Sequence, residues 1–254
     1  MQTVIQPTAR FNKLVGQLGI LRTDILMTPW REPLVLKHRK DSQWDASRYV
    51  EYDETQETLC LRAGVDKIND WLRSAELSLE MQNDLQSVDL SDRCLRRIFT
   101  CNSFCSGGRL FGGFWQPMKK SDRFSSIKIN GESIAEVDFG QIMPRLVYSI
   151  RGISPKMSDL YAIPGFENYR PGIKKFMSSM LFAEVPIRRM PRGLRELFPP
   201  SVSAAEVTKA IQSAHPDIGH MFGTGIGHRC QYLESEILVS VLNRLMMLGL
   251  TALP

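Results

Sequence analysis

An Asn-Gly dipeptide at residues 130–131 constrains the fold more than any other short feature of the chain. It lies between the run Ile127–Ile129 and a second alternating run, 133–139. Asn-Gly supplies the left-handed backbone of a two-residue hairpin turn, so the pattern predicts two antiparallel strands. Because side chains alternate between the faces of a strand, Asp138 would lie near the end of the second strand with its carboxylate on one face.

Apolar residues recurring every three or four positions predict helices around this hairpin. The predicted helices cover 64–84, a segment that begins at Ser91 or Asp92, 143–151, 170–184, a segment capped by Ser203 and Glu206, and about 229–248. The second of these would carry Leu95, Ile98 and Phe99 inward. Four glycines and three aromatic residues predict a turn-rich segment over 106–117. Residues 1–58 show no clear period and read as an irregular lead-in.

The bulk composition is that of a globular protein with a sizeable core, since 43% of its 254 residues are hydrophobic. The net charge of +5 and the pI of about 9.0 suit a polyanionic partner. No run is long and uncharged enough for a membrane helix, and the N-terminus lacks the pattern of a signal peptide. We therefore expect a cytoplasmic protein with no membrane partner.

Five cysteines, an odd number in a chain of this size, favour reduced thiols over disulfides. Cys94, Cys101 and Cys105 could in principle form a metal cluster. However, the chain has no CxxC pair and no histidine close to them in sequence, and their spacing suits one face of a helix. A helix face is therefore favoured over zinc.

Most candidate site residues are uninformative when taken singly. Arg170 and Lys174 are four residues apart, so they would share a helix face that could hold a triphosphate, although an exposed basic face is the simpler interpretation. Asp138 alone is a common kind of strand-end residue. The chain has neither a GxxxxGK[ST] loop nor a GxSxG nucleophile, so neither a P-loop ATPase nor a hydrolase with that nucleophile is supported.

The order of these elements resembles the polymerase region of family A DNA polymerases, the DNA polymerase I type, over roughly residues 90–254. It is most similar to the short relatives carried by phages and prophages. Five segments carry the resemblance: Gly108-Arg109-Leu110 is similar to GRLSS, Gln116-Pro117 to LQNIP, Asp138 to Arg145 to motif A (DYSQIELR), Arg170-x-x-x-Lys174 to motif B, and Cys230-Gln231 with Glu236 to the MQGTAAD segment.

The resemblance implies template-directed nucleotidyl transfer on primed DNA, with nucleoside triphosphates as substrates and two Mg²⁺ ions as cofactors. Asp138 would be a catalytic metal ligand. Arg170, Lys174 and Gln141 would bind the nucleotide. Four further side chains would contact the nucleic acid, mainly through its backbone: Arg109, Gln116, Arg145 and Gln231.

The sequence departs from the family pattern at three points. Met143 replaces the motif A glutamate that helps to exclude ribonucleotides, so the sugar preference stays open. Ser178 stands where motif B has an aromatic ring. The family pattern also predicts a second metal-binding aspartate after Leu253-Pro254, where this sequence ends. The notion that Glu136 replaces this aspartate would require a rearranged site, because it lies about 7 Å from Asp138 along a strand.

The predicted fold class is α+β, with an antiparallel polymerase palm, helical fingers and a partly helical, thumb-like N-terminal region. The predicted domains are 1–90 and 91–254, the second incomplete at its C-terminus. Three alternatives stay open: a polymerase completed by further sequence or by a protein partner, a non-catalytic nucleic-acid-binding relative, and an unrelated α+β domain with a basic face.

Overall fold

The computed structural model describes residues 7–20, 32–39, 45–80 and 88–254. The chain divides into two compact units, 1–31 and 32–254. The first unit contains α1 (Ala9–Gln17), whose N-cap Thr8 accepts a hydrogen bond from the backbone N–H of Phe11. The elements of the second unit are β1 (Leu34–Leu36), α2 (Gln56–Ser74), β2 (Leu77–Leu79), β3 (Leu95–Thr100), β4 (Ser103–Gly112), α3 (Lys120–Ser126), β5 (Ile127–Ile129), β6 (Glu132–Ser133), α4 (Ile142–Ile150), α5 (Arg170–Phe182), α6 (Ala204–Ala214) and α7 (Ile226–Met247).

The larger of two small sheets has the order β1-β3-β4. β1 is parallel to β3, and β3 pairs with β4 as an antiparallel hairpin. Cys101 and Asn102 form the tip of this hairpin, both with positive φ, as a two-residue primed turn requires. The helix predicted from Ser91 or Asp92 is therefore wrong. The turn-rich segment predicted at 106–117 is wrong in its first half, through which β4 runs, and confirmed in its second half, where residues 114–117 form a turn.

The second sheet has the order β2-β5-β6, and Asn130 and Gly131 form its hairpin turn as predicted. The prediction that the second strand extends over 133–139 is wrong, since β6 ends at Ser133. The register explains this early end. Lys128 pairs with Ser133, so the next pair would use Ile127, and the chain before Ile127 is the helix α3. Residues beyond 134 thus have no strand beside them.

Four helix predictions in the C-terminal half are confirmed within a few residues, namely α4, α5, α6 and α7. Ser203 and Glu206 form the predicted capping box of α6. The helix predicted over 64–84 is observed as α2, which begins eight residues earlier and ends at Ser74. The last residues of that prediction, 81–84, lie outside the described part of the chain.

Two main hydrophobic clusters hold the second unit together. One packs α4, α5 and α6 with the segments between them, around the fully buried side chains of Val147, Ile173 and Phe176. The other packs α2 and the two sheets against α7 through residues such as Ile68 and Leu242. α7 contacts both regions, because it packs on β4, on α2 and on the helices α4 and α5. The fold is therefore mixed α+β, as predicted. None of the helices in the described ranges is both long and apolar enough to cross a membrane.

Candidate nucleotide and nucleic-acid site

The predicted metal ligand, Asp138, lies in an exposed loop between β6 and α4. It is not at the end of a strand, and its neighbour Val137 is 92% exposed. Glu136 is ion-paired with Lys120 of α3, and since neither carboxylate lies on a strand, the predicted spacing along a common strand face is wrong. Asp138 is thus accessible to a ligand.

Gln141, three residues further on, is the left-handed N-cap of α4, with φ of 59°. Such a conformation is uncommon for a residue other than glycine and is kept only where neighbouring contacts hold it. Here the side-chain amide provides those contacts. Its oxygen accepts a hydrogen bond of 2.6 Å from the backbone N–H of Leu160, and its nitrogen donates one of 3.3 Å to the carbonyl of Ser158.

Arg145 lies one turn along α4 and contacts the same loop. Its Nη2 donates to the carbonyl of Ser158 at 3.3 Å, and its Nε donates to the carbonyl of Gly140 at 3.2 Å. The side chain thereby ties the first turn of α4 to residues 158–160, which we name the bridging loop. Arg145 remains exposed, so it keeps donors that could reach a phosphate.

The bridging loop also binds the first residue of α5. Asp159 accepts two hydrogen bonds from the Arg170 guanidinium, one of 2.6 Å from Nε and one of 3.0 Å from Nη2. The Asp159 carboxylate also accepts from the backbone N–H of Tyr161 at 3.0 Å. These hydrogen bonds hold the pKa of the Asp159 carboxyl below its ordinary value, and those from Arg170 have the largest effect.

Arg170 also lies over the Tyr161 ring, with the guanidinium carbon 5.5 Å from the ring centroid. Tyr161 itself is buried, and burial raises the pKa of its phenol. Lys174, one turn further along α5, is exposed, so the two cations do share a helix face. The geometry therefore gives a fixed arginine beside an exposed lysine.

A buried histidine, His215, contacts the bridging loop from the protein interior. His215 ends α6 and lies fully inside the protein. Its Nε2 is 2.9 Å from the carbonyl of Leu160, which can only accept, so Nε2 must carry the proton. The Tyr148 hydroxyl, on α4, then donates to Nδ1 at 2.9 Å. Burial lowers the pKa of His215, which agrees with a neutral imidazole in this position.

Two other predicted nucleic-acid contacts, Arg109 and Gln231, lie on β4 and α7. Arg109 of β4 is ion-paired with Glu234 of α7, with a hydrogen bond of 2.9 Å from its Nε. Gln231 lies one turn before Glu234 on the same helix. Gln116 does not reach this group. Its amide instead closes the turn after β4 by accepting from the backbone N–H of Gly112 at 3.0 Å and donating to the carbonyl of Leu110.

A second arginine of the sheet, Arg97 of β3, was not predicted from the sequence. It is only 2% exposed, and its guanidinium contacts the carbonyl of Gly108, the hydroxyl of Ser235 and the carboxylate of Glu236. Its carbon also lies 4.9 Å from the centroid of the Phe99 ring. Arg97 and Arg109 together fix α7 on the sheet through three consecutive residues of that helix.

The structure therefore connects some predicted residues and leaves others apart. Gln141, Arg145 and Arg170 are joined through the bridging loop, while Arg109 binds Glu234, which lies one turn after Gln231 on α7. Reasoning from the sequence missed the side chains that hold these residues in place, namely Asp159, Tyr161, Tyr148, His215 and Arg97. Only Asp159 had a visible signal, since aspartate commonly accepts from the backbone two residues further on, as it does here.

The two Mg²⁺ ions that the resemblance implies stay a prediction. Within 7–20, 32–39, 45–80 and 88–254, no three histidine, cysteine, aspartate or glutamate side chains are grouped as metal ligands. Cys94, Cys101 and Cys105 are not on a helix face as predicted, because Cys101 is in the turn that joins two strands and Cys105 is on β4. Asp138 is thus the one carboxylate of the predicted metal site for which the described structure shows a position.

Comparison with known proteins adds no assignment. No protein-family model, no curated protein and no solved structure matches the chain. The function therefore has to be inferred from the arrangement of the side chains themselves.

Proposed function

We propose that this chain binds primed nucleic acid and a nucleoside triphosphate in the manner of a family A DNA polymerase, with β3, β4 and α7 as its palm and α5 as its fingers helix. It supports template-directed nucleotidyl transfer when a second carboxylate completes its metal site. The transfer joins the primer 3′-oxygen to the α-phosphorus of the triphosphate and releases pyrophosphate. In the described residues, Asp138 is the first of the two carboxylates.

The bridging loop is the observation that carries this proposal. The segment similar to motif A ends in Gln141 and Arg145, and both donate hydrogen bonds to Ser158. The segment similar to motif B begins at Arg170, which is bound by Asp159 of the same loop. Two segments that the resemblance assigns to one nucleotide site are therefore joined through three residues, although 25 positions separate Arg145 from Arg170.

The triphosphate would bind at Arg170 and Lys174. Both cations are at least partly exposed on the first two turns of α5, and charge-assisted hydrogen bonds to phosphate are among the stronger polar contacts in proteins. Gln141 has a different role from the one that its place in the motif predicts. Since its side-chain amide is hydrogen-bonded to the bridging loop, Gln141 would hold that loop in place, and other groups would contact the nucleotide.

The primed duplex would lie across β4 and α7, where Arg109 is 43% exposed at its side chain despite the pair with Glu234. Contacts of this kind fall on the phosphate backbone and carry no sequence information, so binding would be sensitive to salt and insensitive to sequence. The net charge of +5 also favours binding to a polyanion such as nucleic acid.

The second candidate function is a non-catalytic nucleic-acid-binding relative. The absence of a cluster of three metal-ligating groups in the described part of the chain favours it. In this case the same cations would bind the same ligands without turnover, and Asp138 would have no essential role. A partner chain that supplies the second carboxylate would convert this state into the first.

Primer extension by the 254-residue chain on a primed DNA template, with Mg²⁺ or Mn²⁺, separates the two functions. Extension that is lost in Asp138→Asn would establish the catalytic function. The substitution keeps the size of an exposed loop residue, so folding is expected to be unaffected. Duplex binding without extension would show that the 254-residue chain does not catalyse transfer without a second carboxylate, and no binding at all would overturn both functions.

Salt-titrated binding to the same duplex tests the interface. Arg109→Ala should weaken binding to all sequences alike and reduce the slope of log K against log salt by about one. Lys209→Ala, which removes an exposed cation from α6, is the matched control and should leave the slope unchanged. Equal slopes for both variants would remove Arg109 from the interface.

A further inference from the structure

Arg170 differs from the other exposed cations of α5 in having its orientation fixed from two sides. Asp159 binds one edge of the guanidinium, through Nε and Nη2. Tyr161 lies against its face. Lys174 and Lys175, on the same helix, are exposed and have no such neighbours in the described part of the chain. An arginine side chain loses rotamer entropy when it is held, so a fixed Arg170 binds a ligand with less further loss.

The contact with Asp159 leaves a second edge of the guanidinium available. The group has five N–H donors in a rigid plane. The Nε hydrogen and one Nη2 hydrogen point to Asp159, so the donors on Nη1 and the second Nη2 hydrogen form a separate edge. No partner for this edge occurs among the residues that the structure describes, and the Arg170 side chain is 49% exposed. A planar fork of this kind matches two oxygens of one phosphate group.

Asp159 and Tyr161 are themselves held. The backbone N–H of Tyr161 donates to Asp159, while Gln141 and His215 bind the N–H and the carbonyl of Leu160 between them. Tyr161 is buried, so its ring cannot move away from Arg170 without a change in the core. The orientation of Arg170 is therefore set by the bridging loop and through it by α4 and α6.

We propose that Asp159 and Tyr161 are positioning residues that hold the Arg170 guanidinium so that its free edge binds a phosphate of the incoming triphosphate. The inference rests on the proposed function, since it needs Arg170 to be a triphosphate ligand. Asp159 acts only through Arg170 and does not touch the nucleotide. The alternative is that Asp159 competes with phosphate for Arg170, which predicts the opposite effect of its removal.

The test is calorimetric titration of inorganic tripolyphosphate, and separately of dATP with Mg²⁺, into the full chain bound to primed DNA. Asp159→Asn keeps the shape of the side chain but loses the charge that fixes the fork, and it should weaken both ligands three- to tenfold. Tyr161→Leu should weaken them in the same way, whereas Tyr161→Phe, which keeps the ring, should bind as wild type. Arg170→Ala should weaken both ligands at least tenfold.

A double-mutant cycle distinguishes positioning from general damage to the fold. If Asp159 acts through Arg170, the double variant Asp159→Asn/Arg170→Ala should bind no more weakly than Arg170→Ala alone. Asp70→Asn, which breaks an exposed aspartate–arginine pair on α2, is the matched control and should leave binding unchanged. Should Asp159→Asn fail to fold, Arg170→Lys gives an independent test, because lysine has no fork and should lose affinity despite keeping the charge.

Each outcome has a separate meaning. Unchanged binding in Arg170→Ala would overturn the proposed triphosphate site and the inference with it. Weak binding in Arg170→Ala with wild-type binding in Asp159→Asn would overturn the inference alone. Tighter binding in Asp159→Asn would also overturn it, and would identify Asp159 as a competitor of the phosphate.

Discussion

Arg97 and Glu236 form an ion pair in which the arginine side chain is 3% exposed and the carboxylate is 41% exposed. The arginine comes from the central strand of the larger sheet and the glutamate from α7, so the pair joins the helix to the sheet. A buried charge whose partner is removed is costly, because the desolvation of the remaining ion is no longer offset.

Removal of the Glu236 carboxylate should therefore destabilise the protein. We expect Glu236→Ala to lower the free energy of unfolding by about 2–4 kcal/mol, below the full cost of a buried orphan charge since water can replace the exposed carboxylate. Urea denaturation followed by circular dichroism measures this. Glu80→Ala, which removes a carboxylate that is 68% exposed and paired with Lys128, should change stability by less than about 1 kcal/mol. Equal losses in the two variants would contradict the role given to Arg97.

Gly108 is predicted to be intolerant of a methyl group. Its φ is +75°, and an added Cβ would lie 2.8 Å from Phe99 Cε1 and 3.1 Å from Arg97 Nη2. Gly108→Ala should cost about 2–4 kcal/mol through backbone strain and overlap. Gly64→Ala, in the middle of α2 with no atom within 4 Å of the new Cβ, should instead stabilise the protein by about 0.5–1 kcal/mol. Thermal denaturation of the two variants should give shifts of opposite sign.

Stability should fall on mild acidification because of His215. Burial lowers the pKa of this histidine in the folded protein below its ordinary value of 6.5. Between the two pKa values the unfolded chain binds a proton that the folded protein does not, so the free energy of unfolding rises with pH in this window and is lost as the pH drops. The slope contributed by one such group is at most about 1.4 kcal/mol per pH unit.

His215→Gln should reduce this slope when unfolding is measured between about pH 5 and 6.5, above the range in which most carboxylates titrate. The pKa of His228 is also lowered by burial, so the wild-type slope is shared and the variant should keep part of it. His228→Gln is the natural control, and it should remove the other part. A slope that is unchanged in His215→Gln would mean that the buried imidazole is already protonated in the folded state.

The C-terminal half of the fold could be predicted from the sequence because its helices carry local signals. Ser203 and Glu206 mark the start of α6, and the apolar spacing through Leu242 marks α7. Both signals arise within one or two turns of the chain. They therefore depend little on the rest of the structure.

β3 was predicted as a helix because a charged residue occupies one of its inward positions. Leu95, Arg97 and Phe99 alternate inward, as in any half-buried strand. With Arg97 read as a surface residue, the remaining apolar positions Leu95, Ile98 and Phe99 fit a helical spacing. The partners that allow Arg97 to be buried, Ser235 and Glu236, are far away in sequence, so no local pattern contains them.

The residues of the candidate site also divide into those with a local signal in the sequence and those without one. The sequence order named Asp138, Arg145 and Arg170 as candidates, because their types and spacing are visible along the chain. It did not identify Asp159 or His215, because their roles depend on a loop brought between α4, α5 and α6 by the packing of the core. The strand predicted to present Asp138 is missing because α3 occupies the place where its neighbour would have to be.

The two sheet arginines have a geometric consequence for α7. Arg97 binds Glu236 and Arg109 binds Glu234, two residues apart on a helix that turns by 100° and rises by about 1.5 Å per residue. A shift of the helix by a single residue would turn both carboxylates away from their arginines. The two ion pairs together therefore fix the position of α7 on the sheet. A shift of α7 relative to β3 and β4 would therefore have to break both ion pairs.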